Sequence, residues 1–264
     1  MQIPFYQINT FTSAINGGNP AGVCPLTEWL PDDLLLSIAK ENNYSETAFF
    51  VPHDNGYKLR WFSPTTEIER CAHATLASAF VLHTKMNHGS STIQFHTVKE
   101  DITVDISGDA YKLNMRAMKI ESVNEIPGAL IESFGEDQII DVCKSDDYLV
   151  QVKSESFIQT FTPDYELISD IDLRGTILTA MGRNPEIDFV SRWFGSRDIG
   201  IKEDPVTGSA HCTLVPYWKK KLGKDKFIAR QLSPRGGTLN CEIDNGIVSI
   251  SGTARLYLEG TIQL

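Results

Sequence analysis

Glu46, in the run Glu41-Asn-Asn-Tyr-Ser-Glu-Thr-Ala-Phe-Phe50, stands where a loop enters an apolar segment. A carboxyl partly withdrawn from water at such a place suits proton transfer. A solvated strand-end glutamate is the plain alternative. His73 falls in the first turn of a helical pattern that starts at Ala72. A helix N-terminus disfavours imidazolium, so this ring is expected neutral, able to donate to a substrate oxygen or hold a carboxylate. A satisfied core histidine would look the same. Cys71 directly precedes that helix, where a thiolate is stabilised and could act as nucleophile or base. In Asp204-Pro-Val-Thr-Gly-Ser-Ala-His211, a Pro, a Gly and a helix start leave several backbone amides without helical partners. Such a nest binds carboxylate or phosphate. The bland alternative is an ordinary helix capped by Thr207 or Ser209. His211 repeats the placement of His73 but reads as a core residue, because Ser209 is the better placed group.

Other chemistries find no support. His53, His83, His88 and His96 make no HxxH or HExxH pattern, and Cys24, Cys71, Cys143, Cys212 and Cys241 make no CxxC. Neither a metal site nor a disulfide framework is expected. No GxxxxGK[ST], strand-linked GxGxxG or GxSxG is present, so no nucleotide cofactor or hydrolase elbow is indicated. Lys plus Arg is 24 against 34 Asp plus Glu, a formal charge of −10. That balance argues against nucleic acid as a partner. The basic run Lys219-Lys-Lys221 with Lys224 and Lys226 fits a helix C-terminus better than a docking patch. No apolar run nears the roughly 18 residues a membrane span needs, and the N-terminus reads as a strand rather than a signal peptide. A reducing cytoplasm is the expected location.

Something must hold these groups in place. With 41% hydrophobic residues, the 264-residue chain can build a substantial core. Residues 3–11 alternate like a strand, and 14–20 read as a turn-rich loop. A helix follows Pro31, with an acidic first turn. Strands are predicted over 46–52 and 57–63 around a His-Asp-Asn-Gly turn, then over 91–97 and 100–106. Residues 72–85 form a helix apolar on almost every side, which means a buried one. The stretch 111–200 mixes short strands with one helix near 125–134. A second long helix runs from Ser209 to Leu222. Strands over 227–232, 238–243, 247–252 and 254–263 complete the chain.

One echo organises this order. Ala72-His-Ala-Thr-Leu76 and Ala210-His-Cys-Thr-Leu214 share A-H-x-T-L, and each opens a long helix followed by several strands. Two similar halves, each a sheet wrapped on a buried helix, explain it economically. The halves are placed at 1–110 and 111–264, with the last strand returning to the first. A cleft between such halves is a favoured ligand site.

Taken together, several stretches resemble the PhzF-like family of phenazine-biosynthesis isomerases. They are Gly18-Asn-Pro-Ala-Gly-Val23, Glu41 to Phe49, Leu59-Arg-Trp-Phe-Ser-Pro-Thr65 and Cys71-Ala-His-Ala-Thr-Leu76. In the second half they are Asp188 to Phe194, Glu203 to His211, Ser233-Pro-Arg-Gly-Gly237 and Ser251-Gly-Thr-Ala. They keep the family's order and reach from near the start to near the end.

The resemblance implies an α+β, diaminopimelate-epimerase-like fold: two pseudo-symmetric halves, each a mixed sheet or barrel around a central helix. It implies a cofactor-independent isomerase that moves a proton between carbons of a small carboxylate-bearing substrate. Glu46 would be the catalytic acid and base. His73, Asp204 and Ser209 would complete the catalytic set, and Asn19, Ala72 and Gly208 would contact substrate. Ala72 stands where the family often has Gly, which bears on the substrate more than on the chemistry. A homodimer is compatible with the resemblance. The same fold also supports a two-base racemase or epimerase using Cys71, and a non-catalytic binding module is the remaining class.

Overall fold

The computed structural model describes residues 1–264. Two compact units emerge, one of Met1–Met115 with Ser249–Leu264, the other of Arg116–Val248. The sequence expectation set the division at residue 110. The first unit runs through β1 (Gln2–Thr10), β2 (Asn19–Pro25), α1 (Asp32–Asn42), β3 (Glu46–His53) and β4 (Gly56–Phe62). It continues with β5 (Glu67–Ile68), α2 (Ala72–Thr84), β6 (Thr92–His96), β7 (Asp101–Ser107) and β8 (Ala110–Arg116). The second holds β9 (Glu121–Ser122), α3 (Gly128–Phe134), β10 (Ile139–Lys144), β11 (Tyr148–Val152), α4 (Glu155–Thr160) and α5 (Tyr165–Ser169). Then come β12 (Gly175–Met181), β13 (Phe189–Gly195), a 3-10 turn at Gly208–Ala210, α6 (His211–Leu222), β14 (Lys226–Gln231) and β15 (Gly237–Asp244). The last strand, β16 (Ile247–Gln263), starts in the second unit and ends in the first.

The repeat seen in five residues is carried by the topology. In the first unit β1–β2 pair antiparallel, β2–β3 parallel, β3–β4 antiparallel, β4–β6 parallel and β6–β7 antiparallel. In the second, β10–β11, β11–β12, β12–β13, β13–β14 and β14–β15 repeat that order of directions. A parallel neighbour needs a crossover, and helices supply it. α2 carries the chain from the β4–β5 region to β6, and α6 carries it from β13 to β14. The two A-H-x-T-L segments open these two equivalent helices.

In the first unit, β1, β2, β3, β4, β6, β7, β8 and β16 close into a ring, because β1 also pairs with β16. α2 packs against β1, β2 and β3 and is buried along nearly its whole length. α1 covers the other side of this sheet, where Leu35, Ile38 and Ala39 meet Phe49 and Phe62. β3 is therefore covered on both faces, which is why Glu46 to Val51 are all buried rather than alternating.

In the second unit, α3, α4 and α5 pack Leu130, Phe134, Ile158 and Ile168 onto Val150, Leu178 and Val190 of the sheet. Trp218 of α6 stacks on Phe189 of β13 at 5.7 Å and donates its indole N–H to Thr179 Oγ1. Pro216 lies inside α6 and cannot donate to the carbonyl four residues back. That carbonyl, of Cys212, instead accepts the Met118 N–H at 2.8 Å. The interruption is thus satisfied from outside the helix.

The structure departs from the sequence reading in three places. The loop expected over 14–20 yields to β2 from Asn19, after Gly18 turns the chain at φ +67°. A Cβ at Gly18 would lie 2.1 Å from the Thr10 carbonyl oxygen. Gly18→Ala is therefore expected to destabilise the protein by more than the roughly 1–2 kcal/mol of a left-handed L-residue, read as a lower urea midpoint. Second, the two strands expected over 247–263 are one. Third, α4 and α5 are short helices that hydrophobic periodicity did not reveal.

The basic run is locally neutralised. Lys219 meets Asp225 at 2.5 Å, Lys221 meets Asp141 at 2.8 Å, Lys224 meets Asp188 at 2.5 Å and Lys226 meets Glu242 at 3.3 Å. The five cysteines form no disulfide. No helix is long and apolar enough to cross a membrane.

Candidate active site

In the first unit, β3 and α2 bring three of the singled-out side chains together. Glu46 opens β3, in parallel register with Ala21 of β2. Cys71 is the N-cap of α2, with an extended backbone at φ −146° and ψ 113°. Its carbonyl accepts the Thr75 hydroxyl at 2.5 Å, which fixes the first turn. His73 follows two residues on. Its Nε2 lies 3.3 Å from Glu46 Oε2, and its Nδ1 lies 3.5 Å from Cys71 Sγ. One imidazole therefore stands between a carboxyl and a thiol, and all three residues are buried. The low-polarity surroundings strengthen electrostatic coupling among them.

Ala72 is the first residue of α2 and is also buried. Asn19 is fully buried at the start of β2. It shares its strand face with Ala21, the register partner of Glu46, because side chains two apart point the same way. Glu46, His73, Ala72 and Asn19 thus belong to neighbouring elements of one unit.

In the second unit, Asp204, Gly208 and Ser209 lie in the segment that leads from β13 to α6. Asp204 is buried, and its N–H donates to the Trp193 carbonyl at 3.2 Å. The Thr207 hydroxyl donates to Asp204 Oδ2 at 2.6 Å. Gln231 braces both: its amide donates to the Asp204 carbonyl at 2.7 Å, and its Oε1 accepts the Thr207 N–H at 2.7 Å. Thr207 is the N-cap of the 3-10 turn by position, but its side chain makes no capping bond, and its N–H is committed to Gln231 rather than facing a ligand. The amides of the turn that remain for an anion are those of Gly208 and Ser209. α6 itself has no side-chain cap.

Ser209 Oγ accepts a hydrogen bond from Arg174 Nη1 at 3.1 Å. Arg174 is clamped by Asp147 through Nε at 2.9 Å and through Nη2, and its guanidinium lies over the Trp193 ring. Gln231, Arg174 and Asp147 escaped the sequence reading. Each lies 24 or more residues along the chain from the residue it braces, and no spacing rule marks such a contact.

His211 is a core residue, as its sequence position suggested. It is wholly buried, its ring lies against Phe189, and its Nδ1 is 3.1 Å from the Thr207 carbonyl. Burial lowers its pKa from the ordinary 6.5 to about 4, against the opposing pull of the Thr207 and Gly208 backbone. The imidazole is thus kept neutral in the folded protein but takes up a proton near 6.5 when unfolded. Below that value the unfolded state binds more protons, so stability falls as pH drops towards about 4. The expected slope is about 1.4 kcal/mol per pH unit over that window, measured by urea unfolding. His211→Gln should flatten it.

The sequence model of the phenazine biosynthesis-like protein family, PhzC-PhzF, matches residues 8–260. The chain belongs to this family. It is 43% identical, over the full length of both chains, to a protein of Pseudomonas aeruginosa named as an uncharacterized isomerase. It is 35% identical to the human phenazine biosynthesis-like domain-containing protein, over 99% of each chain. A crystal structure of a PhzF-family protein from Enterococcus faecalis superposes with a TM-score of 0.92 at 39% identity, covering 100% of both chains. A hydroxyproline epimerase from Agrobacterium vitis shares the fold, with a TM-score of 0.68 at 12% identity. This PhzF-like chain is accordingly an isomerase with a diaminopimelate-epimerase-like α+β fold. Its two pseudo-symmetric units are the two halves that the A-H-x-T-L repeat indicated.

Proposed function

We propose that this PhzF-like isomerase works without a cofactor, moving a proton between two carbons of a small carboxylate-bearing substrate, with Glu46 as acid and base. The observation that carries the reading is the buried Glu46–His73 contact of 3.3 Å at the start of β3 and α2. In the first step the Glu46 carboxylate takes a proton from a carbon acidified by conjugation, and the C–H electron pair enters the conjugated system. In the second step the Glu46 carboxyl returns that proton to another carbon on the same face. Atoms and charge balance without an oxidant. His73 steadies the charge displaced onto the substrate. Asp204 and Ser209 keep the orienting roles of their motif, and the Gly208 and Ser209 amides hold the substrate carboxylate. Asn19 and Ala72 shape the pocket.

A two-base epimerase gains one supporting observation, the 3.5 Å approach of Cys71 Sγ to His73 Nδ1. Its second base would fall at Ser209, the repeat counterpart of Cys71. That hydroxyl accepts from the Arg174 guanidinium, which makes it a poor base. Cys71→Ala separates the two readings. Under the Glu46 mechanism, solvent-deuterium exchange into substrate stays within about tenfold of wild type; a two-base enzyme loses about 10²- to 10⁴-fold. The cytoplasmic location rests on the cysteine pattern and the homodimer on the family resemblance; cell fractionation and light scattering check them.

A further inference from the structure

We propose that Glu46, Cys71 and His73 also form a binding site for a soft divalent metal ion such as zinc. Their ligand atoms all lie within 4.8 Å of one another, and all three residues are buried. The donor set is one thiol sulfur, one imidazole nitrogen and one carboxylate oxygen, each of a type that zinc binds. Metal–ligand bonds of about 2.0–2.3 Å set at tetrahedral angles leave neighbouring donors about 3.3–3.6 Å apart. The Glu46 Oε2–His73 Nε2 separation of 3.3 Å and the Cys71 Sγ–His73 Nδ1 separation of 3.5 Å are each the length of such an edge. They use different ring nitrogens, and a metal can take only one. Whichever nitrogen binds, one of these edges is preformed and the third donor lies within 4.8 Å, to be drawn in as the metal enters.

No spacing of ligand residues marks this site in the chain. Cys71 and His73 are two residues apart on one helix start, and the third donor comes from β3, 25 residues earlier by number (71 − 46). Only the packing of α2 against β3 joins them. Two of the donors sit on an N-cap and first helical turn that the Thr75 hydroxyl fixes, and the third sits on a paired strand. Rigid elements of this kind favour metal binding over a mobile loop. On binding, the Cys71 S–H proton passes to solvent and the thiolate becomes the ligand, so affinity rises with pH. Three protein ligands leave a fourth position open. The metal ties up the Glu46 carboxylate, so occupancy and proton shuttling exclude each other, and zinc acts as a reversible inhibitor.

The test uses the metal alone. Metal-free full-length protein is titrated with Co²⁺, and the thiolate-to-cobalt charge-transfer absorption is read, then reversed with Zn²⁺. One equivalent per chain is expected. Cys71→Ser, nearly isosteric, should abolish the band and weaken binding by more than about 100-fold, beyond the 10- to 100-fold that loss of an outer-shell partner costs. Glu46→Gln and His73→Asn should each weaken binding by more than about tenfold. Should Cys71→Ser fail to fold, zinc protection of Cys71 from alkylation in the wild type, mapped by mass spectrometry, gives the same answer. No saturable cobalt binding, or a band that survives in folded Cys71→Ser, overturns the site. Cobalt binding without substrate proton exchange upholds the site and counts against the shuttle; exchange without cobalt binding does the reverse.

Discussion

Glu46→Gln should fold like the wild type and lose about 10²- to 10⁴-fold in carbon–hydrogen exchange, the contribution of one positioned general acid–base group. Glutamine keeps the size of the side chain and an oxygen acceptor beside His73, but its amide cannot take up a proton near neutrality. Ligand-induced stabilisation should therefore persist while turnover is lost. Glu46→Asp is the informative companion. It retains the base but withdraws it by one methylene, and misplacement on the order of 1 Å can cost about 10²-fold. Mass-detected exchange in D₂O for the three proteins, with thermal melts in parallel, checks the ordering. Equal exchange in wild type and Glu46→Gln would remove Glu46 from the mechanism.

Glu203→Ala should unfold the protein more readily by about 3–5 kcal/mol, because it strands a buried cation. Arg192 and Glu203 have side chains only 7% exposed each. Two bonds join them, from Nε at 2.7 Å and from Nη2 at 2.9 Å. The Tyr165 hydroxyl adds a third to Glu203, and Arg192 Nη1 donates to the Phe161 and Ile158 carbonyls. The guanidinium also lies over the Phe161 and Phe194 rings. With Nε and Nη2 both placed on the Glu203 carboxylate, loss of that partner leaves the buried guanidinium without a counter-ion. The cost reaches the site as well, since Glu203 bridges to Phe194 of β13 and the next residue, Asp204, donates to Trp193. A urea midpoint shift equivalent to 3–5 kcal/mol is expected. The double variant Arg192→Met/Glu203→Leu should recover most of it, because an apolar pair carries no unpaired charge. A loss below about 1 kcal/mol in Glu203→Ala would mean that Arg192 is compensated by its carbonyl and ring partners alone.

How far the sequence revealed the molecule depended on whether its signals were local. α1 and α2 were legible because an acidic first turn and an all-round apolar pattern follow from covalent neighbours. The hairpin of β3 and β4 was legible from its His-Asp-Asn-Gly turn. β2 was not, because a strand covered on both faces shows no alternation and this one carries Pro20 and Gly22. β16 spans two strand patterns, 247–252 and 254–263, that meet beside Gly252. In the fold, Gly252 marks a close approach: a Cβ there would lie 2.5 Å from the Phe11 ring. α4 and α5 are too short for periodicity, yet each had a cap to find. Ser154 accepts the Phe157 N–H, and Asp164 accepts those of Glu166 and Leu167. Glu46 and His73 stand out in the sequence by their positions at element starts, and the fold brings them within 3.3 Å of each other. The braces on Asp204 and Ser209 were not legible, since Gln231, Arg174 and Asp147 reach them only through tertiary packing.

The most direct test of the proton-shuttle account is deuterium wash-in. Wild type, Glu46→Gln and Cys71→Ala would be incubated in D₂O with a panel of small cyclic and amino carboxylates, and mass gain at carbon would be read. Incorporation by wild type and Cys71→Ala, with none by Glu46→Gln, is the predicted result and would name the substrate class. Incorporation that survives in Glu46→Gln but vanishes in Cys71→Ala would contradict the account and hand the chemistry to the thiol.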